Sequence, residues 1–194
     1  MAHEPFESWV TIWPSFLLQA ARCAVAETRD PNMAFGNHAA AIILAQSSWE
    51  TFKNEFIESR DLPQRIKRKP LIKAIPSICR ALKVEEFSFR EGTLWEALLC
   101  AARLRNAVVH HEAQPLRPGQ APMDLFESMQ RHCVISASNS DGPWERLLIT
   151  SRSATWCCTV VGNAILELER IPTRRRRTYS SVEQSVCDAL GGIA

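Results

Sequence analysis

Apolar residues return every three or four positions along most of this chain, which is the spacing of one helix face, and six segments carry the pattern. The first predicted helix covers residues 15–28. It enters after Pro14, a residue suited to a first helical turn, and Phe16, Ala20, Cys23 and Ala24 share one face. Asp30, Pro31 and Asn32 read as a turn. The second helix, residues 34–59, has the clearest stripe: Ile42, Ala45, Trp49, Phe52 and Phe56. An aromatic stripe at this spacing is a core face. A basic connection, RDLPQRIKRKP, leads to a third helix at 71–82 with a bend expected at Pro76. A fourth helix covers 92–111, followed by a proline-rich loop, EAQPLRPGQAP. A short helix is expected at 123–132 and a turn at SNSDGP. The last long helix spans 144–170 and stops at Pro172. Thr155, Thr159, Val160 and Val161 leave a strand open at its centre, although its length favours helix. Beyond Thr173 the chain reads as a basic, mobile tail holding one short helix. Val182, Val186 and Leu190 lie on one side of it, and Gly191 and Gly192 stop it. There is no internal repeat, Gly-rich phosphate loop or heptad run.

The pattern implies an all-α bundle. A length of 194 residues allows one domain with a real core, and the scarcity of glycine (7 residues) suits helices better than a β-sandwich. The expected division is a helical domain at 1–171, with its core at 34–171, and a tail at 172–194. The N-terminal MAHEPFESWV is acidic and has no long apolar run, so no secretory leader is expected. The longest apolar stretch, residues 39–45, is too short to span a bilayer. The 7 cysteines are odd in number and contain no CxxC pair, which fits reduced thiols in a cytoplasmic protein. Cys133 beside His132 lacks a second ligand pair, so no metal site is assigned. No cofactor is expected.

The net charge of +2 is uninformative, but its distribution is not. Arg65, Lys67, Arg68 and Lys69 form one basic cluster; Arg174, Arg175, Arg176 and Arg177 form another. Such clusters can hold nucleic-acid phosphates, and they also occur as plain solvated loops.

The fourth helix ends in RLRNAVVHH, and here the apolar pattern breaks. On a wheel of about 100° per residue, Arg105 falls on the face of Leu94, Leu98 and Ala101. A guanidinium there must be paired, sit at an interface, or line a cleft. Glu50, Glu55 and Glu96 are the candidate acids for a structural ion pair. Arg103, Asn106 and His110 share another face. These residue types suit phosphodiester chemistry. Arginine braces the charge that builds on phosphorus, histidine moves protons near neutral pH, and asparagine orients either. RNA supplies its own nucleophile, the 2′-hydroxyl. The plain alternative is a helix terminus whose histidine favours the negative end of the dipole.

At these residues the chain resembles the HEPN domain family, whose signature is an arginine, a polar residue and a histidine four to six positions on: here Arg105-Asn106-Ala-Val-Val-His110. The resemblance extends over about residues 34–112, with AAIILAQSSWETFKNEF as the long upstream helix. It implies an all-helical bundle that acts as a homodimer and places two motifs in one cleft. It further implies a metal-independent endoribonuclease of toxin–antitoxin or phage-defence type, with RNA as substrate and an antitoxin or other regulatory protein as partner. Arg105 would clamp phosphate, Asn106 would orient, and His110 would transfer protons. His111 lies outside the motif. Arg103 and the two basic clusters would hold the RNA backbone. One toxin subgroup carries a glutamate and a lysine where this chain has Cys100 and Leu104, so close membership of that subgroup is not implied. A non-catalytic HEPN-like binding or dimerisation module is the alternative reading.

Overall fold

The computed structural model describes residues 11–110, 123–135, 144–171 and 182–193, and among them every regular element is helical. The helices are α1 (Trp13–Ala24), α2 (Pro31–Ser59), α3 (Leu71–Leu82), α4 (Leu94–Val109), α5 (Met123–Arg131), α6 (Trp144–Leu148), α7 (Ser151–Glu169) and α8 (Val182–Leu190). A single 3₁₀ turn, Gln64–Ile66, joins α2 to α3. None of the described helices is long and apolar enough to cross a membrane.

Two local readings are corrected. The Asp-Pro-Asn triplet begins α2: Asp30 is its N-cap and accepts the Asn32 N–H at 2.9 Å, with Pro31 in the first turn. Aspartate followed by proline is a helix entrance as readily as a turn, because the proline lacks an N–H that would have no partner there. The long helix expected over 144–170 is two helices, broken at Ile149 and Thr150. Thr150 caps α7 by accepting the Ser153 N–H at 3.2 Å, while the Ser153 hydroxyl accepts the Thr150 N–H at 2.9 Å. This reciprocal pair satisfies two otherwise unpaired donors and stabilises the start by about 1 kcal/mol. The centre of α7 is helical, and no strand forms there. Pro76 lies inside α3, as expected. It deprives the Ile72 carbonyl of its helical donor, but Ile72 lies on the exposed side, where water can replace it. The proline-rich loop and the SNSDGP turn fall outside the described residues.

The long helix α2 packs against α1, α4 and α7. Ser48 donates to the Trp13 carbonyl at 2.9 Å, Ser151 donates to the Ala24 carbonyl at 2.9 Å, and Arg60 pairs with Glu169 at 3.3 Å. These contacts place the end of α1 at the start of α7, and the ends of α2 and α7 side by side. Aromatic rings link the layers. Trp13 meets Phe52 edge-on at 5.4 Å, Trp49 meets Trp95 of α4 at 5.9 Å, and Phe87 stacks on Trp95 at 4.7 Å. The predicted stripe of α2 is core: Ile42, Ala45, Trp49, Phe52 and Phe56 are all buried. The same helix buries Lys53, which pairs with Glu50.

The short helix expected near the C-terminus is α8, and it belongs to the bundle. It packs on α1 and α7, with Val186 and Ala189 buried. The contact uses Gly162, where an added Cβ would lie 2.7 Å from Leu190 Cδ1 and 3.1 Å from Val186 Cγ1. Alanine there must displace the flexible Leu190 tip and ease Val186 back by a few tenths of an ångström, against a gain of about 0.5–1 kcal/mol of helix propensity, so Gly162→Ala should be nearly neutral. Gly162→Leu should lift α8, at a cost of about 1–3 kcal/mol. Hydrogen exchange would then rise over residues 182–190 and stay low in α2 and α7. Unchanged protection of α8 in the leucine variant would contradict this packing.

Candidate active site

The helix that carries the motif is fixed at its start by a threonine. Thr93 accepts the Glu96 N–H at 3.3 Å and donates its own hydroxyl to the Arg90 carbonyl at 2.7 Å. Ala97, Leu98, Ala101 and Leu104 then bury one face, and Trp95 is buried on another. The helix closes at His110, whose backbone N–H reaches the Asn106 carbonyl at 2.9 Å. His110 is therefore the C-cap, and its side chain is exposed.

Arg105 is half-buried, and its Nη1 donates to Asn106 Oδ1 at 3.0 Å. The three acids considered for it are engaged elsewhere: Glu50 with Lys53, Glu96 with His132 and Arg131, and Glu55 with the Ile12 N–H and the Thr11 hydroxyl. Among the described residues no carboxylate pairs with Arg105. Its nearest positions on the same helix face include Ala102, Val108 and Val109, one turn away on either side. Ala102 and Val108 are half-buried, and Val109 is 43% exposed. The arginine thus emerges beside apolar side chains that the described residues leave only partly covered.

Arg103, Asn106 and His110 are all exposed along one side of the helix. Arg105 and His110 lie about 140° apart around the axis and about 7.5 Å apart along it. Asn106 bridges that gap: its oxygen takes the guanidinium, and its amide nitrogen keeps two donors for a further acceptor.

The basic cluster after α2 is divided. Arg65 and Arg68 are exposed, but Lys67 pairs with Glu58 and Lys69 donates to Ser77 Oγ at 2.8 Å. The 3₁₀ turn that contains Arg65 packs on α2 and α3, so two of the four cations fasten this connection. The other cluster, Arg174, Arg175, Arg176 and Arg177, lies outside the described residues, as does His111.

A second polar group was not foreseen from the sequence. Glu96 Oε2 lies 2.6 Å from His132 Nε2, and Glu96 and Glu91 flank Arg131 at 3.9 and 3.3 Å. The histidine and the carboxylate meet off-axis, so the contact is electrostatic rather than an aligned hydrogen bond. The His132 ring tilts against Trp156 of α7 at 5.4 Å. With side chains only about one-seventh exposed, this pair clamps α5 onto α4 and leaves a substrate little access. Burial pushes the Cys100 thiol up to about 12, helped by the nearby charge of Glu96. Burial likewise pushes Cys158 up to about 12 and Cys157 well above the ordinary thiol range. These thiols are poor nucleophiles. Among the described residues, no three His, Cys, Asp or Glu side chains converge in a metal-binding group.

Comparison with family models, with curated proteins and with solved structures gives no match.

Proposed function

We propose that this chain is a HEPN-type endoribonuclease that works as a homodimer, acting in a toxin–antitoxin or phage-defence setting under the control of an antitoxin or other regulatory protein. One observation carries the reading. At the end of α4, an arginine with apolar neighbours has no acid partner among the described residues, and it is held by Asn106 one turn before an exposed histidine. An arginine kept in a half-buried position without a counter-ion is costly unless an anion or a partner surface completes it.

In this mechanism the 2′-hydroxyl of RNA attacks the adjacent phosphorus as one His110 takes its proton. The charge that develops on the non-bridging oxygens meets the Arg105 fork and the Asn106 amide. A second His110, from the other copy, protonates the departing 5′-oxygen. The products are a 2′,3′-cyclic phosphate and a 5′-hydroxyl. The exposed Val109 and the half-buried Val108 are the surface on which two copies of α4 meet. Arg103, Arg65 and Arg68 are the exposed cations left to hold the RNA backbone.

The test is incubation of purified protein with single-stranded and looped RNAs in EDTA, followed by mapping of the ends. Cleavage that survives chelation and leaves cyclic phosphate ends is expected. Cleavage lost on chelation, or 5′-phosphate ends, would refute the mechanism. A folded dimer that leaves all these RNAs intact would favour the non-catalytic binding module.

A further inference from the structure

Trp13, Phe52 and Phe56 border a cavity that the proposed reaction does not use. It lies between α1, α2 and α8 and has a volume of about 140 Å³. A dry cavity of about 150 Å³ accommodates benzene, so the space fits a group of that size. Trp13, Phe52 and Phe56 form its apolar walls, each less than 5% exposed. Two carboxylates, Glu55 and Glu169, also line it, and among the described residues no lysine or arginine does.

The two acids differ in their compensation. Glu169 is paired with Arg60, whose guanidinium also sits 5.1 Å from the centre of the Phe56 ring. One organic cation is therefore already held beside this cavity by a ring and a carboxylate. Glu55 has only neutral donors: the Ile12 N–H and the Thr11 hydroxyl. Among the described residues no cation pairs with it. Burial pushes its carboxyl above the ordinary glutamate range, and the neighbouring Glu58 adds to the shift.

We infer that this cavity is a binding site for a small organic cation, a protonated amine or guanidinium on an apolar body of about six carbon atoms. The body fills the space between the rings, and the charge is shared by the Glu55 carboxylate and the π-faces of the aromatic walls. An anion would meet two carboxylates. A neutral group of the same shape would fill the space but leave Glu55 without a counter-charge. The inference is independent of the ribonuclease reading, because it uses neither α4 nor its motif.

Benzylammonium, benzyl alcohol and benzoate are matched probes. Each would be titrated into the full chain at neutral pH, following the indole N–H resonance of Trp13 and the heat of binding. Saturable binding of benzylammonium is expected, at least tenfold tighter than benzyl alcohol, with benzoate weakest. Glu55→Gln keeps an acceptor for Ile12 and Thr11, so it should fold and bring the two affinities together. Lowering the pH should weaken benzylammonium and spare benzyl alcohol. A carboxyl raised above the ordinary range takes up its proton earlier as pH falls, and the counter-charge goes with it. Equal binding of amine and alcohol would reduce the site to a plain apolar hole. Absence of saturable binding by all three probes, or an unchanged preference in the glutamine variant, would overturn the inference.

Discussion

Replacing His110 with alanine should lower RNA cleavage by about a hundredfold to ten-thousandfold, the usual contribution of a positioned proton-transfer group. The protein should stay folded and dimeric. His110 caps α4 through its backbone N–H, which alanine keeps, and its side chain is exposed. Exposed substitutions of this kind usually change stability by less than about 0.5 kcal/mol. In a dimer with two such histidines at one cleft, the variant loses both the base and the acid. Residual cleavage then reports only binding and charge stabilisation by Arg105 and Asn106. The check is a time course in EDTA for wild type and variant, with circular dichroism melts and light scattering on the same preparations. A folded variant that cuts RNA as fast as wild type would sink the proposed mechanism.

The helical class was legible because the core faces repeat at helical spacing over long segments. The third helix, 71–82, was read to its ends, and the stripe from Ile42 to Phe56 was read as core. The errors share a cause. Asp30-Pro31 and Thr150-Ser151-Arg152-Ser153 are polar punctuation, and the same residues serve turns and helix caps. What decides between them is the packing of the following apolar residues, which a local reading cannot weigh. The docking of α8 was hidden for a related reason: its partner, Gly162, is a missing side chain on α7, and an absence gives no periodic signal. At the site, wheel geometry places Arg105 on the apolar face and Arg103, Asn106 and His110 on another; in the structure Arg105 is half-buried and the other three are exposed. The His132–Glu96 contact was not legible. It joins residues 36 positions apart through the packing of α5 on α4, and neither residue belongs to a motif.

Arg105→Ala separates the two readings of α4 most sharply, because they predict opposite losses. If the arginine is a phosphate clamp, its removal should cost about a hundredfold to a thousandfold in turnover, as does removal of a single oxyanion donor elsewhere. Stability should hold. The only hydrogen bond lost among the described residues is the one to exposed Asn106, and a bond of that kind contributes about 0.5–1.5 kcal/mol. Removing a half-buried charge that has no acid partner among the described residues returns part of that loss. If the arginine is instead structural, alanine should melt the bundle or split the dimer, with any activity declining only in step with folded protein. Arg105→Lys refines the choice. Lysine keeps the charge at this position but loses the planar fork that braces two phosphate oxygens together. The clamp reading therefore expects a lysine variant that folds, dimerises and binds RNA yet cleaves slowly, with the defect in kcat rather than KM. Full cleavage by the lysine variant would show that charge alone suffices. A folded, dimeric alanine variant with wild-type turnover would remove Arg105 from the chemistry and leave the apolar end of α4 as a docking surface only.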